Sequence, residues 1–242
     1  MSNDNLILIS GSSATGKSAC LRNLANPEGV MYLNTESNKK LPFSPVKFDQ
    51  YNIIDPNQVI QAFTAAETMP AIHTIIVDSL TFMFDQYVSL YVLNAPKADG
   101  FKAWGNFQQF FKTLMQQHVA TSTKNVIFLA HTETILNESD MAMETKVPVQ
   151  GGLKKNGIES YFSTVISTKR MATAKLDKYK SDLLTINEEE QEDEFKYCFQ
   201  TRLTKETMTE RIRAPMGMFG RNETYTDNDV QLILNHLHNY YN

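Results

Sequence analysis

Residues Gly11 to Ser18 read Gly-Ser-Ser-Ala-Thr-Gly-Lys-Ser and follow the apolar run Leu6-Ile7-Leu8-Ile9. The spacing is G-x-x-x-x-G-K-[ST], in the order strand, glycine loop, helix start. Each part has a task in holding phosphate. Gly11 and Gly16 let the backbone curl, so that the amides of Ser12, Ser13, Ala14, Thr15, Gly16, Lys17, Ser18 and Ala19 converge on phosphate oxygens. The helix starting near Lys17 adds its positive end. Lys17 reaches the β- and γ-phosphates, and the Ser18 hydroxyl ligates Mg²⁺. The ligand this pattern calls for is a nucleotide with Mg²⁺; the alternative is a glycine turn with a surface lysine.

Three further groups end or follow strands, where ligands of open α/β sheets bind. Asp78 closes the run Ile75-Ile76-Val77-Asp78. A carboxylate there holds the Mg²⁺ shell with Ser18; the alternative is a cap on the helix beginning at Ser79. Glu36 follows the run at 30–34 and can polarise the water that attacks the γ-phosphate; the alternative is an exposed loop glutamate. His131 ends Val126-Ile127-Phe128-Leu129-Ala130. It can hydrogen-bond the γ-phosphate and report its presence to the following loop; the alternative is a satisfied surface histidine.

The elements that must position these groups alternate. Strands are expected at 6–10, 30–34, 74–77, 126–130, 164–168 and 195–203. Helices are expected at 17–24, 55–68 (with Val59, Ile60 and Phe63 on one face), 79–93, 101–119 and after the Thr226-Asp227 cap, where Val230, Ile233, Leu234 and Leu237 form one stripe. Residues 132–152 are polar without a clear period and read as a long loop. Residues 187–194 are nearly all acidic and read as a solvated loop tip. The fold class expected is α/β: a single domain over 1–242, with a mainly parallel sheet flanked by helices and an antiparallel C-terminal extension.

Composition sets limits on class. The chain has 242 residues and a net charge of −4, which argues against indiscriminate nucleic-acid binding. The charge is unevenly spread: net −3 over 1–96, +5 over 97–180 and −6 over 181–242. No apolar run approaches a bilayer-spanning length, and no basic segment precedes the first apolar run, so a cytoplasmic protein without membrane contact is expected. Cys20 and Cys198 have no metal or redox spacing and are expected to be free thiols.

Taken in order, these segments resemble the RecA-like P-loop ATPase core, and within it the small phage proteins of the Sak type that assist single-strand annealing and recombination. Tyr32-Leu33-Asn34-Thr35-Glu36, Thr74-Ile75-Ile76-Val77-Asp78-Ser79-Leu80 and 125–131 stand where that family has its water-activating glutamate, its Walker B strand and its γ-phosphate sensor. The resemblance implies DNA loops at about 94–104 and 132–152, with Lys97, Lys102, Lys146, Lys154 and Lys155 meeting phosphates. It also implies late cationic groups, Lys205, Arg211 and Arg213, reaching a neighbour's ATP, hence a homo-oligomer with ATP at subunit interfaces. Single-stranded DNA and phage replication or recombination proteins are the implied partners, and DNA-stimulated ATP hydrolysis the implied activity. Trp104 and Phe101 stack on bases in this reading; the alternative seats both in the core under a loop. Only ten residues precede Gly11, so the N-terminal arm that builds recombinase filaments is not expected. The rivals are a nucleotide or nucleoside kinase, a helicase-like motor, and a non-hydrolysing ATP switch for a protein partner.

Overall fold

The computed structural model describes residues 3–138 and 141–242. Residues 139 and 140 of the expected second DNA loop lie outside the described residues. The strands are β1 Leu6–Gly11, β2 Val30–Asn34, β3 Asp49–Asn52, β4 Thr74–Asp78, β5 Asn125–His131, β6 Glu133–Asn137, β7 Ala142–Lys146, β8 Thr164–Ala172, β9 Phe195–Gln200 and β10 Tyr225–Asp227. The helices are α1 Asn57–Glu67, α2 Leu80–Tyr87, α3 Gly100–Thr113, α4 Thr173–Leu176, α5 Glu188–Glu192 and α6 Val230–Tyr241. α2 and α3 run on through π-wound segments, Val88–Val92 and Leu114–Val119.

Eight strands form one mixed sheet in the order β10-β9-β8-β1-β5-β4-β2-β3. The pairs from β8 to β3 are parallel, while β9 and β10 add antiparallel strands at the C-terminal end. This is the expected α/β class. Period-two alternation explains the double burial. Leu6 and Leu8 of β1 face one core with Leu33, Val77 and Phe128, against α1, α2 and α3. Ile7 and Ile9 face the other with Ile76, Ile127 and Ile166, against Cys20, Leu21 and α6. The aromatic packing is close: Phe84 meets Phe107 and Phe111 edge-on at 5.4 and 5.2 Å.

Several expectations need correction. The helix expected at 17–24 is a single 3-10 turn, Ser18–Leu21. It drives Cys20 and Leu21 into the core, after which Asn23 and the Ala25 amide bond Asp229 and Gln231 of the α6 start. The 132–152 loop contains a hairpin, β6 with β7. Its residues are half-buried or exposed on both faces, so no apolar period marked it. β3 was missed because its Asp-Gln-Tyr-Asn sequence is polar and it lies at the sheet edge. The strand expected at 164–168 extends to Ala172, and that at 195–203 stops at Gln200. The acidic 187–194 segment is a short helix rather than a loop, closed by a capping box between Asn187 and Glu190. Thr226 and Asp227 belong to β10, and Asp229 caps α6 by accepting from the Gln231 amide. The predicted stripe of Val230, Ile233, Leu234 and Leu237 is buried. Both cysteines are buried free thiols.

Candidate functional site

β5 sits between β1 and β4, so the glycine loop, His131 and Asp78 emerge side by side from consecutive strands of the sheet. Glu36 follows β2, next in order. Lys196 and Tyr197 of β9 lie on the opposite side of β1. Together they line a cleft of about 510 Å³.

The loop is wound by backbone geometry. Ala14 and Gly16 take positive φ of 59° and 91°. Gly11 must be glycine, because a Cβ there would stand 2.1 Å from Thr168 Oγ1. Thr15 Oγ1 bonds the Ser12 carbonyl at 2.8 Å and Thr168 Oγ1 at 2.6 Å. Lys17 Nζ donates to the Gly11 and Ser12 carbonyls at 2.9 and 2.8 Å, closing the ring. Among the described residues, nothing accepts from the amides of Ser13, Ala14, Thr15, Gly16 or Lys17. These unpaired donors form an anion-binding concavity. The single turn that follows contributes far less dipole than the expected helix would.

Lys17 is 7% exposed, and burial lowers its pKa to about 8 against the pull of Asp78 and Glu36. Asp78 is buried and accepts from Ser18 Oγ at 2.8 Å and Tyr32 Oη at 2.7 Å, both at Oδ2. Burial raises its pKa, while the Tyr32 and Ser18 hydrogen bonds hold it down. Burial, and then the neighbouring Asp78, raise the Tyr32 pKa. Asp78 makes no side-chain cap on the helix after it. Ser18 and Asp78 are hard oxygen donors in contact, which fits Mg²⁺. Among the described residues no group of three or more His, Cys, Asp or Glu surrounds a metal position. A cation held there by Ser18 and Asp78 would need its remaining ligands from phosphate and water.

Glu36 Oε1 meets His131 Nε2 at 3.2 Å, and its Oε2 accepts from Lys39 Nζ at 2.8 Å. The His131 hydrogen bond, then Lys39, lowers its pKa to about 2 despite burial. His131 also abuts Phe82 edge-on and donates its amide N–H to the Thr81 hydroxyl oxygen. Glu36, His131, Lys17, Ser18 and Asp78 thus converge on one cleft.

The remaining predicted groups lie elsewhere. Lys205 is exposed in a 3-10 turn, Lys205–Thr207. Arg211 is ion-paired with Glu144 of β7, and Arg213 is exposed beside β8, its backbone paired with Val165. None of the three lines the cleft. Lys97, Lys102, Lys154 and Lys155 are exposed, whereas Lys146 is half-buried and bonded to Glu144 at 2.9 Å. The two aromatics separate: Phe101 is 95% exposed, while Trp104 packs against the core beneath Gly151.

Several cleft residues escaped sequence reasoning. Asn228 Nδ2 donates to the Gly16 carbonyl at 2.9 Å, and its Oδ1 is buried without a partner. Nothing local marks a residue 212 positions from its partner. Glu190 lines the cleft and pairs with Lys196, so the acidic segment contributes to the site instead of standing clear of it. Tyr32 and Lys39 were legible in principle, since alternation on β2 and proximity to Glu36 put both near the strand ends. A model of the AAA domain family matches residues 3–195. No curated protein matches the chain.

Proposed function

The chain belongs to the AAA domain family, a P-loop NTPase-type domain, and on that premise we propose that it binds and hydrolyses ATP and couples this to single-stranded DNA. One observation carries the nucleotide reading: five consecutive unpaired amides curl around a buried lysine, beside a serine and an aspartate suited to Mg²⁺. Mg²⁺, when bound, neutralises developing charge on the phosphates. Lys17 orients the β- and γ-phosphates. Glu36 takes the proton of the attacking water. The water oxygen bonds the γ-phosphorus while the bond to the bridging oxygen breaks, its electron pair leaving with ADP. His131 holds Glu36 in place and stands at the start of the hairpin.

The nearer resemblance, to phage RecA-core proteins of the Sak type, supports the DNA part. So does the position of the two basic segments, which touch where Trp104 lies under Gly151. The same reading takes the whole chain as one domain, since β9 and β10 continue the sheet past the matched residues, and places it in the cytoplasm as a homo-oligomer. Among the described residues no helix is long and apolar enough to cross a membrane.

The test is ATP binding and turnover with and without single-stranded DNA, with duplex as control. Lys17→Ala is expected to lose ATP binding, and Glu36→Gln to bind ATP while losing turnover by about a hundredfold or more. Full ATP affinity in Lys17→Ala overturns the site; retained turnover in Glu36→Gln removes Glu36 as base. Phosphoryl transfer to a nucleoside monophosphate in the absence of DNA would establish a kinase instead.

A further inference from the structure

A phosphoryl-transfer site is often completed by a cation from its own chain or from a second subunit, and Lys39 stands at the wall of this chain's own cleft. It projects from a turn fixed by one buried side chain. Asn34, 4% exposed, accepts from the Glu36 amide through Oδ1 and donates to the Lys39 carbonyl through Nδ2, both at 2.9 Å. Ser37 and Asn38 between them adopt positive φ of 53° and 61°, and the Lys39 amide returns to the Glu36 carbonyl at 3.1 Å. The chain therefore reverses within four residues and sets the Lys39 ammonium on Glu36 Oε2 at 2.8 Å, at the cleft wall.

We propose that Lys39 is a catalytic cation acting within its own chain, bridging Glu36 to the γ-phosphate of a bound nucleoside triphosphate. This rests on the nucleotide-hydrolysis reading above. An ammonium has three donors, and Glu36 uses one. Lys39 lines the same cleft as Lys17 and Lys196; Lys17 is committed to the Gly11 and Ser12 carbonyls, and Lys196 is held by Glu190 and Asp227. The Lys39 side chain is two-thirds exposed, which leaves it room to reach an anion in the cleft. A triphosphate in the glycine loop brings that anion to the same strand-end row as Glu36. Lys39 then spreads the charge that develops on the γ-phosphate, and its partial withdrawal from Oε2 opens a carboxylate lone pair to the attacking water. A diphosphate offers no such partner, so Lys39 reads the third phosphate.

The test compares wild type with Lys39→Ala, Lys39→Arg and Lys40→Ala, the last on the same wall without a bond to Glu36. Turnover of ATP is measured together with affinity for ADP and for a non-hydrolysable ATP analogue. Lys39→Ala is expected to lose at least about tenfold in kcat and to bind analogue and ADP equally, with ADP affinity unchanged. Lys39→Arg recovers part of the loss, and Lys40→Ala does less harm than Lys39→Ala. A smaller loss in Lys39→Ala, or a larger one in Lys40→Ala, overturns the assignment while leaving the hydrolysis reading intact. Restored turnover on mixing Lys39→Ala with Glu36→Gln protein would show that the lysine acts between chains, and would also overturn it. A wild type that binds neither nucleotide removes both readings together.

Discussion

At the scale of single residues, the site is a balance of charges held close together. Glu36 carries two donors, one on each carboxylate oxygen, and these rather than exposure set its acidity. Its pKa falls from 4.5 to about 2, so the folded chain holds Glu36 ionised where the unfolded chain would protonate it. Between those values the unfolded state binds more protons, and stability rises with pH. The contribution of Glu36 is therefore complete above about pH 4.5 and is lost as pH falls through about 2. Thermal melts of wild type and Glu36→Gln should differ most at pH 6–7 and converge progressively below about pH 4. A gap that stays constant down to pH 3 would mean that His131 and Lys39 do not act on this carboxylate. On the proposed role of Glu36 as base, the same balance keeps it weak until Lys39 moves toward a bound anion.

At the scale of elements, the glycine loop, β4 and the β5 end were legible because each joins an apolar run to a chemically distinctive residue. What was not legible depends on contacts distant in sequence. The edge strand β3 is polar and is defined by pairing with β2 alone. The β6–β7 hairpin is solvated on both faces, so its register is written in cross-strand pairs such as Thr134 with Thr145 at 2.9 Å rather than in an apolar period. Asn34 is the same kind of case. It reads as the last residue of a buried strand, yet its amide clamps both ends of the turn that carries Glu36 and Lys39. Asn34→Ala removes both part-buried bonds, at a combined cost of about 1–3 kcal/mol. Stability should drop by that amount, ATP affinity should change little, and turnover should fall more than about tenfold because base and cation lose their fixed placement. Melting and steady-state turnover on one preparation check this. Normal turnover with the expected loss of stability would reduce the clamp to a structural role.

At the scale of the whole molecule, the sheet order settles how separate stretches of chain share one surface. The basic middle of the sequence, net +5 over 97–180, is not a continuous strip. Its two halves are joined because Gly151, at φ of 62°, lies against the Trp104 ring, where a Cβ would come within 2.8 Å of Cε3. Gly152 packs on Gln108 of α3 in the same way. Lys97, Lys102, Lys154 and Lys155 are all exposed, and the hairpin β6–β7 lies between His131 and the turn that carries Lys154 and Lys155 in the chain. Lys146 is spent on Glu144, so its charge adds little to an approaching strand. If single-stranded DNA lies across this surface, each lysine that neutralises a phosphate steepens the salt dependence of binding by about 0.7. Lys154→Ala with Lys155→Ala should weaken affinity and flatten the slope of log K against log salt by about 1.4, whereas Lys146→Ala should leave the slope nearly unchanged. Trp104 is the sole tryptophan and sits under the loop that carries these lysines, so its emission reports the same event without a label. Titration with oligonucleotide at 50–200 mM salt reads both signals. An unaltered slope in the double variant together with an unresponsive Trp104 would remove this surface from DNA binding and leave the cleft coupled to some other partner.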